Sequence, residues 1–246
     1  MTIDLKENWK YTQGFFAVLF LFWIMSLVIW ISWGYTNSFA ILNQYHWEPL
    51  DSASVYFLTH LADGVILPAI LILWIWRRDP ALVITAIFAI YFTGILTQTG
   101  KWTVFSDWNR PPSVFEAVPG IEILQPHPPK NHSFPSGHAT SFATGGLFFA
   151  YFLSQWKWWM GLLVGLFTVF LCYTRVTLGV HFPGDIFVGS MVGSIGGGVL
   201  LFFAYPKLKA RIDRGNQEKW GKAAPIVMGI AAVALIAQFI NLISRI

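Results

Sequence analysis

Seven apolar stretches, each long enough to cross a hydrocarbon core, run through this chain of 246 residues. A helix needs about 20 residues to span a bilayer, so the stretches account for most of the sequence. Only 11% of the residues are charged, whereas a soluble domain carries about 25%. We therefore predict an all-α protein, a polytopic membrane helical bundle. The predicted spans cover about 15–33, 55–76, 81–99, 138–155, 159–178, 184–204 and 224–243.

The basic residues are divided unequally between the two sides that these spans define. Eleven of the 16 Lys and Arg residues fall on the side of the N-terminus, many of them in 205–222, whereas the loop 34–54 on the other side has none. Cytoplasmic loops of membrane proteins are enriched in Lys and Arg. This distribution predicts a cytoplasmic N-terminus and a C-terminus outside. The five outer basic residues are Lys101, Arg110, Lys130, Arg175 and Arg245.

Composition also argues against several other classes of protein. The net charge of +4 does not indicate a nucleic-acid partner, because the basic residues lie between spans and not along one face. Cys172 is the only cysteine, so no disulfide can form within the chain, and we expect it to be a buried packing residue. The first stretch is too long and too aromatic for a signal-peptide core and is interpreted as an uncleaved anchor.

Charged and polar residues concentrate in three segments at the ends of apolar spans. Such residues at membrane depth are costly and mark functional sites. Under the predicted orientation, all three segments lie at the outer face, which predicts a single outward-facing site. The segments are Lys101 with Arg110-Pro111 after span three, Pro135-Ser136-Gly137-His138 at the start of span four, and Arg175 through His181 to Asp185 between spans five and six.

The first chemical signal is a set of groups suited to a phosphate. Lys101, Arg110 and Arg175 supply three cations, and arginine forks match phosphate oxygens. Proline and serine directly before an apolar helix mark its N-terminus, where free N–H groups and the helix dipole favour an anion. Ser136 and Gly137 are therefore predicted to bind the same phosphate.

The second signal is a pair of histidines with different surroundings. Asp185 follows His181 by four residues, so the carboxylate can accept from one ring nitrogen and leave the other free to attack. His138 then has the separate role of a general acid that protonates the leaving oxygen and afterwards activates water as a base. No cluster of carboxylates accompanies them, which predicts a site without metal and without cofactor.

These segments resemble the three motifs of the type 2 phosphatidic acid phosphatase (PAP2) superfamily. The family pattern is Lys-x6-Arg-Pro, Pro-Ser-Gly-His and Ser-Arg-x5-His-x3-Asp. Here the chain has Lys101-x8-Arg110-Pro111, then the unchanged second motif, then Thr174-Arg175-x5-His181-x3-Asp185. The first motif is two residues longer, so Lys101 needs a different loop path to reach the phosphate that Arg110 binds.

The resemblance implies an integral membrane phosphatase of the bacterial cell membrane that acts through a phosphohistidine at His181. His138 would be the acid, Asp185 the orienting partner, and Lys101, Arg110, Ser136, Gly137 and Arg175 the phosphate ligands. The substrate would be a lipid phosphate or diphosphate, such as phosphatidic acid, phosphatidylglycerol phosphate or an isoprenyl diphosphate. The family core has six spans, and the seventh is an addition.

The resemblance also suggests a division of the chain. We predict an anchor span with an outer loop over 1–54 and a catalytic core over 55–204, whose proline-rich loop 100–136 forms an outward-facing cap. A basic linker and the C-terminal span would occupy 205–246.

Several residues near the motifs keep two interpretations. Asp63, with His60, lies in span two and would either pair with a site cation such as Lys101 or form a structural hydrogen bond between helices. A further group in the cap would either contact the headgroup or be solvated. Its members are His127, Lys130 and His132.

Three other activities compete with lipid phosphate hydrolysis. A phosphotransferase would pass phosphate from an isoprenoid diphosphate to a hydroxyl acceptor with the same residues, and the sequence does not separate it from a hydrolase. A haloperoxidase would hold vanadate there, but a membrane-embedded site suits a lipid better. A transporter would have charges spread along a transmembrane path, whereas here they cluster at one face.

Overall fold

The computed structural model describes residues 5–44, 52–116, 118–215 and 217–244. Within these ranges the chain forms helices and loops without a β-strand, which confirms the predicted all-α bundle. Part of the loop 34–54, namely residues 45–51, and Arg245 lie outside the described residues. The helices are α1 (Leu5–Trp33), α2 (Tyr35–Asn43), α3 (Ser52–Thr59), α4 (Ile66–Ile75), α5 (Pro80–Thr103), α6 (Pro111–Val114), α7 (Gly137–Ser154), α8 (Met160–Thr177), α9 (Pro183–Val199), α10 (Tyr205–Arg214) and α11 (Gln217–Ile243).

Most of the predicted spans correspond to long apolar helices. Among the described residues, five helices are long and apolar enough to cross a membrane: α1, α5, α8, the continuous α9–α10 helix and α11. A sixth span would consist of α3 and α4 together, but these meet at a bend of 68°. At the bend, Oδ1 of Asp63 accepts from the backbone N–H of Val65 at 2.8 Å. Such a local turn competes with helical hydrogen bonding, so the stretch predicted as one span at 55–76 is broken.

Helix α7 lies at the centre of the bundle and does not meet the same criteria of length and apolarity. Its sequence is rich in glycine, threonine and serine, which lowers its hydropathy. It contacts α1, α5, α8 and α9, and nearly all of its residues are buried. A helix enclosed by protein does not need the apolar surface that lipid requires, so α7 can begin with a polar functional motif.

Helices α7 and α9 approach each other very closely. A β-carbon at Gly189 would lie 2.4 Å from the carbonyl oxygen of Ser136, and one at Gly193 would lie 2.2 Å from that of Thr140. Only glycine permits this approach of two backbones. The backbone N–H of Ser136 also donates to the carbonyl of Asp185 at 3.0 Å. The second and third motifs are therefore joined directly at the starts of these two helices.

The basic segment predicted as a linker at 205–222 is largely helical. Helix α9 continues through a π-helical turn, Leu200–Ala204, into α10. Asp79 holds α10 in place, because its Oδ2 accepts from the Tyr205 hydroxyl at 2.7 Å and lies 3.3 Å from Nζ of Lys209. The helix that corresponds to the predicted span 184–204 thus continues beyond its apolar part.

The loop between α5 and α7 folds over the ends of the helices at which α7 and α9 begin. Its backbone bonds to itself, from Arg110 N to Lys130 O at 2.8 Å and from Ser133 N to Trp108 O at 2.8 Å. It also bonds to the turn after α8, from Leu124 N to Leu178 O at 3.1 Å. These bonds hold the first motif above the other two.

Candidate active site

His181 lies in the turn between α8 and α9 with only 1% of its surface exposed. Its Nδ1 lies 2.9 Å from Oδ2 of Asp185, and its Nε2 lies 3.2 Å from Nη1 of Arg110. A carboxylate only accepts and a guanidinium only donates. The ring must therefore carry its proton on Nδ1 and present the Nε2 lone pair to the site. Both neighbours favour the same tautomer, the one that the four-residue spacing predicted.

Asp185 is held by more partners than the sequence indicated. The hydroxyl of Ser133 donates to Oδ2 at 2.5 Å, and the backbone N–H of Phe182 donates to the same oxygen at 3.0 Å. The hydroxyl of Tyr35 donates to Oδ1. These donors hold the carboxylate in one orientation and compensate for its complete burial.

Tyr35 and Ser133 were missed by the sequence reasoning. Tyr35 begins the short helix α2, which is 150 residues from Asp185 in the chain, and Ser133 lies in the cap loop. Neither belongs to a motif with a characteristic spacing. The one available signal was the position of Ser133 three residues before Ser136, at the start of the α7 segment.

The three predicted cations line one cavity of about 590 Å³, together with His138 and His181. Lys101 is 4% exposed in the last turn of α5, where Nζ donates to the carbonyl of His132 at 3.2 Å. The chain turns directly after α5, where the N–H of Phe105 donates to the carbonyl of Gly100 at 3.0 Å. Lys101 reaches the same cavity as Arg110.

Arg110 and Arg175 are anchored in different ways. Arg110 donates through Nε to the carbonyl of Asn131 at 2.9 Å and through Nη2 to that of His132 at 3.3 Å. Arg175 is 3% exposed and donates through Nη1 to the hydroxyl of Thr59 at 2.8 Å and through Nη2 to Oε1 of Gln125 at 3.3 Å. Its Nε is buried without a partner among the described residues, which leaves a donor for an anion.

Of the residues at the N-terminus of α7, some reach the cavity and Ser136 does not. Gly137 and His138 line the cavity, but Ser136 does not. The Ser136 hydroxyl accepts from the N–H of Ala139 at 3.4 Å and so caps α7. Its side chain is fully buried. A helix-capping role for Ser136 thus replaces direct contact between its hydroxyl and the cavity.

Electrostatics around the cavity favour a neutral His181. Burial, followed by the positive charges of Arg110 and Lys101, lowers the pKa of His181 well below its ordinary value of 6.5. Burial also lowers the pKa of Arg110, an effect that Asp185 opposes. For Tyr35, burial and the neighbouring Asp185 raise the pKa, so its hydroxyl keeps its proton and remains a donor.

The remaining walls of the cavity are less polar and face outwards from the bundle. They comprise the break between α3 and α4 at Ala62–Gly64 and one side of α5, which includes Tyr91, Gly94 and Ile95. Ile95 is 65% exposed, and a β-carbon at Gly94 would meet nothing within 4 Å. The cavity is thus bounded by cations on one side and by the bilayer-facing surface of α5 on the other.

Three of the residues that the sequence left with two interpretations have defined contacts, namely Asp63, Lys130 and His132. Asp63 lines the cavity but forms no ion pair with Lys101, since its carboxylate accepts from Val65 at the bend. Lys130 forms an exposed pair with Glu116 at 3.3 Å. The ring of His132 stacks on Trp102, with a centroid distance of 4.6 Å. Within the described ranges, no group of three or more His, Cys, Asp or Glu residues could hold a metal ion.

Together, the helical bundle and this site define a membrane-embedded enzyme of phosphoryl transfer. Residues 81–211 match the family model of the PAP2 superfamily, so the chain belongs to that superfamily and is a membrane phosphatase. The match covers the three motifs and ends before α11.

Similarities to individual proteins agree with this assignment. The chain is 27% identical over 186 residues to an undecaprenyl-diphosphatase of Sulfolobus acidocaldarius, covering 73% of this chain and 86% of that protein. It is 38% identical over 80 residues to a lipid A 4'-phosphatase of Bacteroides thetaiotaomicron, covering 32% of this chain and 34% of the relative. The crystal structure of Aquifex aeolicus LpxE superimposes with a TM-score of 0.55 at 26% identity, covering 68% of this chain and 94% of that one.

Proposed function

We propose that the protein hydrolyses a lipid phosphate or diphosphate through a phosphohistidine at His181. The observation that carries the proposal is the orientation of this ring, whose Nδ1 faces Asp185 while Nε2 faces a cavity lined by three cations. A nucleophile needs a free lone pair and a positively charged surrounding for the phosphoryl oxygens. Nε2 lies among the cations, and its lone pair becomes free once Arg110 turns from it.

The reaction proceeds in two displacements. In the first, Nε2 of His181 forms a bond to phosphorus while the bond to the leaving oxygen breaks and His138 donates a proton to that oxygen. In the second, His138 takes a proton from water as the water oxygen displaces the histidine, so that inorganic phosphate leaves and both rings return to their first state. Asp185 stabilises the positive charge that develops on the His181 ring.

The cations bind the transferring group, and one of them must move to do so. Arg110 donates to Nε2 in the substrate-free site, so it must turn from the ring to a phosphate oxygen before attack. Lys101 and Arg175 need no such change, because neither bonds to His181. The backbone of Gly137 at the start of α7 adds to the same binding site.

The lipid character of the substrate follows from the position of the cavity. A bound phosphate lies beside the surface of α5, where a lipid can keep its chains in the bilayer. The undecaprenyl-diphosphatase named above aligns along 86% of its length, which supports an isoprenyl diphosphate as the substrate class. The excess of Lys and Arg at the opposite ends of the spans supports an outward-facing site in a bacterial cell membrane.

The test uses purified protein in detergent micelles with a panel of lipid phosphates and no added acceptor. Release of inorganic phosphate that persists in a metal chelator is expected, together with inhibition by vanadate and complete loss in the variant His181→Ala. Full turnover by folded His181→Ala would refute the mechanism. Phosphate release only when a hydroxyl acceptor is added would identify a phosphotransferase instead.

A further inference from the structure

A second, smaller cavity, the rear chamber, also borders His138, whereas His181 lines only the first cavity. The rear chamber holds about 120 Å³ and is bordered by His60, Asp63 and His138 from the core and by Gln238 and Asn241 from α11. His138 borders this rear chamber as well as the substrate cavity. The ring therefore stands between the two. Because a water molecule occupies about 30 Å³ in the liquid, the chamber has room for a few ordered waters.

Gln238 and Asn241 are unusual residues for the helix that carries them. Most of α11 presents isoleucine and valine to the outside, including Ile230, Val233 and Ile236. Gln238 and Asn241 are three residues apart and so share one side of the helix. Amides at membrane depth are retained where they find polar partners, and here the two amides border the rear chamber.

The end of α11 is fixed against the catalytic region by apolar contacts. Phe239 contacts Phe57 of α3, with 5.0 Å between ring centroids. Leu242 is buried in a cluster with Tyr56 of α3 and Val180, the residue before His181. Helix α11 lies beyond the residues that match the family model. Its contacts place this additional span next to the site.

His138 differs from His181 in its lack of an orienting neighbour. Among the described residues, neither ring nitrogen of His138 has a hydrogen-bond partner, and the nearest aromatic contact is His60, with ring centroids 6.3 Å apart. A protonated imidazole carries two N–H groups, and only one can point at the leaving oxygen. The other requires an acceptor on the rear side.

We propose that Gln238 of α11 is a positioning residue for His138, acting through water held in the rear chamber with His60 and Asp63. The amide oxygen of Gln238 stabilises the protonated ring and directs its other N–H group toward the leaving oxygen. This proposal rests on the proposed function, in which His138 is the general acid. The charged and titratable groups that face His138 are His60, Asp63, Lys101, Arg110, Arg175 and His181.

The experiment compares full-length wild type, Gln238→Leu and Gln238→Glu, with phosphatidic acid in micelles as the substrate. The readout is the alkaline limb of kcat/KM against pH, which reports loss of the proton from the general acid. We expect Gln238→Leu to move the limb to lower pH, because the acceptor is lost, and Gln238→Glu to move it to higher pH. Shifts of about half a unit or more are expected from one neighbouring group.

Opposite shifts of the alkaline limb in the two Gln238 variants indicate a positioning role. A general destabilisation of α11 would shift the limb in the same direction in both variants, or in neither. Gln155→Leu is the matched control, since Gln155 follows α7 at its other end and donates to Tyr151. Limbs that coincide in all variants, or that move in one direction for both Gln238 variants, overturn the proposal. If wild type releases no phosphate from any lipid of the panel above, or His138→Ala keeps the wild-type profile, the proposed function fails and this proposal fails with it.

A second measurement applies even if Gln238→Leu is less stable. p-Nitrophenyl phosphate has a leaving oxygen that needs little protonation, so its kcat/KM depends weakly on the general acid. Loss of part of the acid catalysis predicts that Gln238→Leu lowers kcat/KM for phosphatidic acid about tenfold and for p-nitrophenyl phosphate less than about twofold. Equal losses for both substrates contradict the proposal.

Discussion

Arg110 donates from Nη1 to Nε2 of His181 across 3.2 Å, so the group that would bind the phosphate occupies the attacking atom until a substrate arrives. Its other nitrogens are held by the carbonyls of Asn131 and His132. The planar guanidinium of Arg110 can therefore redirect its Nη1 donor from Nε2 of His181 to a phosphate oxygen, while its other nitrogens stay bonded to the loop. A lysine has one donor centre and lacks this geometry.

Replacement of Arg110 tests this exchange. We expect Arg110→Lys to lower kcat/KM about 100-fold, equivalent to about 2.8 kcal/mol at 1.4 kcal/mol per factor of ten, and to weaken inhibition by vanadate. Steady-state kinetics in micelles give both values. Lys130→Ala in the same loop is the control, because Lys130 makes only an exposed ion pair. An Arg110→Lys enzyme with wild-type vanadate affinity would exclude phosphate binding by this residue.

The hydrogen bonds to Asp185 predict graded losses of activity. Asp185→Asn should leave a small residual rate, because the ring remains while the preferred tautomer is lost. Tyr35→Phe removes one donor to Oδ1 and should cost about 1 kcal/mol, or roughly fivefold in kcat. Rapid-quench trapping of an acid-labile phosphoenzyme would follow the first displacement in each variant. If Tyr35→Phe lowered kcat as much as Asp185→Asn does, the predicted ranking of the two variants would be wrong.

The lowered pKa of His181 predicts a neutral ring under mildly acidic conditions. Since the folded-state pKa lies below 6.5, the ring stays unprotonated as pH falls through 6.5 and gains its proton only at lower pH. Nitrogen-15 NMR of histidine-labelled protein in micelles should show the tautomer protonated on Nδ1 at pH 6. The His181→Gln spectrum assigns the signal. A titration midpoint at or above 6.5 in the phosphate-free protein would contradict the burial argument.

The same titration has a consequence for stability. The unfolded chain takes up a proton near pH 6.5 that the folded His181 does not, so stability from this residue decreases as pH falls from 6.5 toward the lower folded-state value. Thermal unfolding should show a smaller pH dependence over that window in His181→Gln than in wild type. Parallel curves for the two proteins would count against a buried neutral ring.

The predicted orientation is tested by labelling from one side of the membrane. Glu116 in the cap and Lys157 between α7 and α8 are both exposed, on opposite ends of the bundle. In intact spheroplasts, a membrane-impermeant maleimide should label Glu116→Cys and spare Lys157→Cys. The native Cys172 is fully buried and serves as the background control. Labelling of Lys157→Cys alone would place the site at the cytoplasmic face.

Gly94 provides a test of lipid recognition by the α5 side of the cavity. There is open space around its α-carbon, so Gly94→Leu should fold and partly fill the region next to the substrate chain. We expect kcat/KM to fall at least about tenfold for long-chain lipid phosphates, since each excluded methylene forfeits about 0.8 kcal/mol, and to remain unchanged for p-nitrophenyl phosphate. Gly229→Leu, equally unobstructed on α11, is the control.

The sequence predicted the parts of the site that depend on local spacing and on the ends of spans. His181 with Asp185, the start of α7 and the three cations all follow from motifs of a few residues. In the structure, His181, His138, Gly137 and the three cations line one cavity, and Asp185 is bonded to His181. The positions of Tyr35 and Gln238 depend on how distant helices pack, which no local pattern records. The bend at Asp63 was missed because the surrounding hydropathy is continuous, while a single side-chain hydrogen bond at 2.8 Å interrupts the helix.

The contact of Gly189 and Gly193 with the backbone of α7 has a mechanical consequence. Because the carbonyls of Ser136 and Thr140 leave no room for a β-carbon at either glycine, the two backbones are in direct contact, and the Ser136–Asp185 backbone hydrogen bond joins the starts of both helices. We therefore expect His181 and His138, the proposed nucleophile and acid, to keep their spacing when a substrate binds. We expect the cap and α5 to adapt to lipids of different size. Substitutions there would then change substrate selectivity without changing the reacting groups at the starts of α7 and α9.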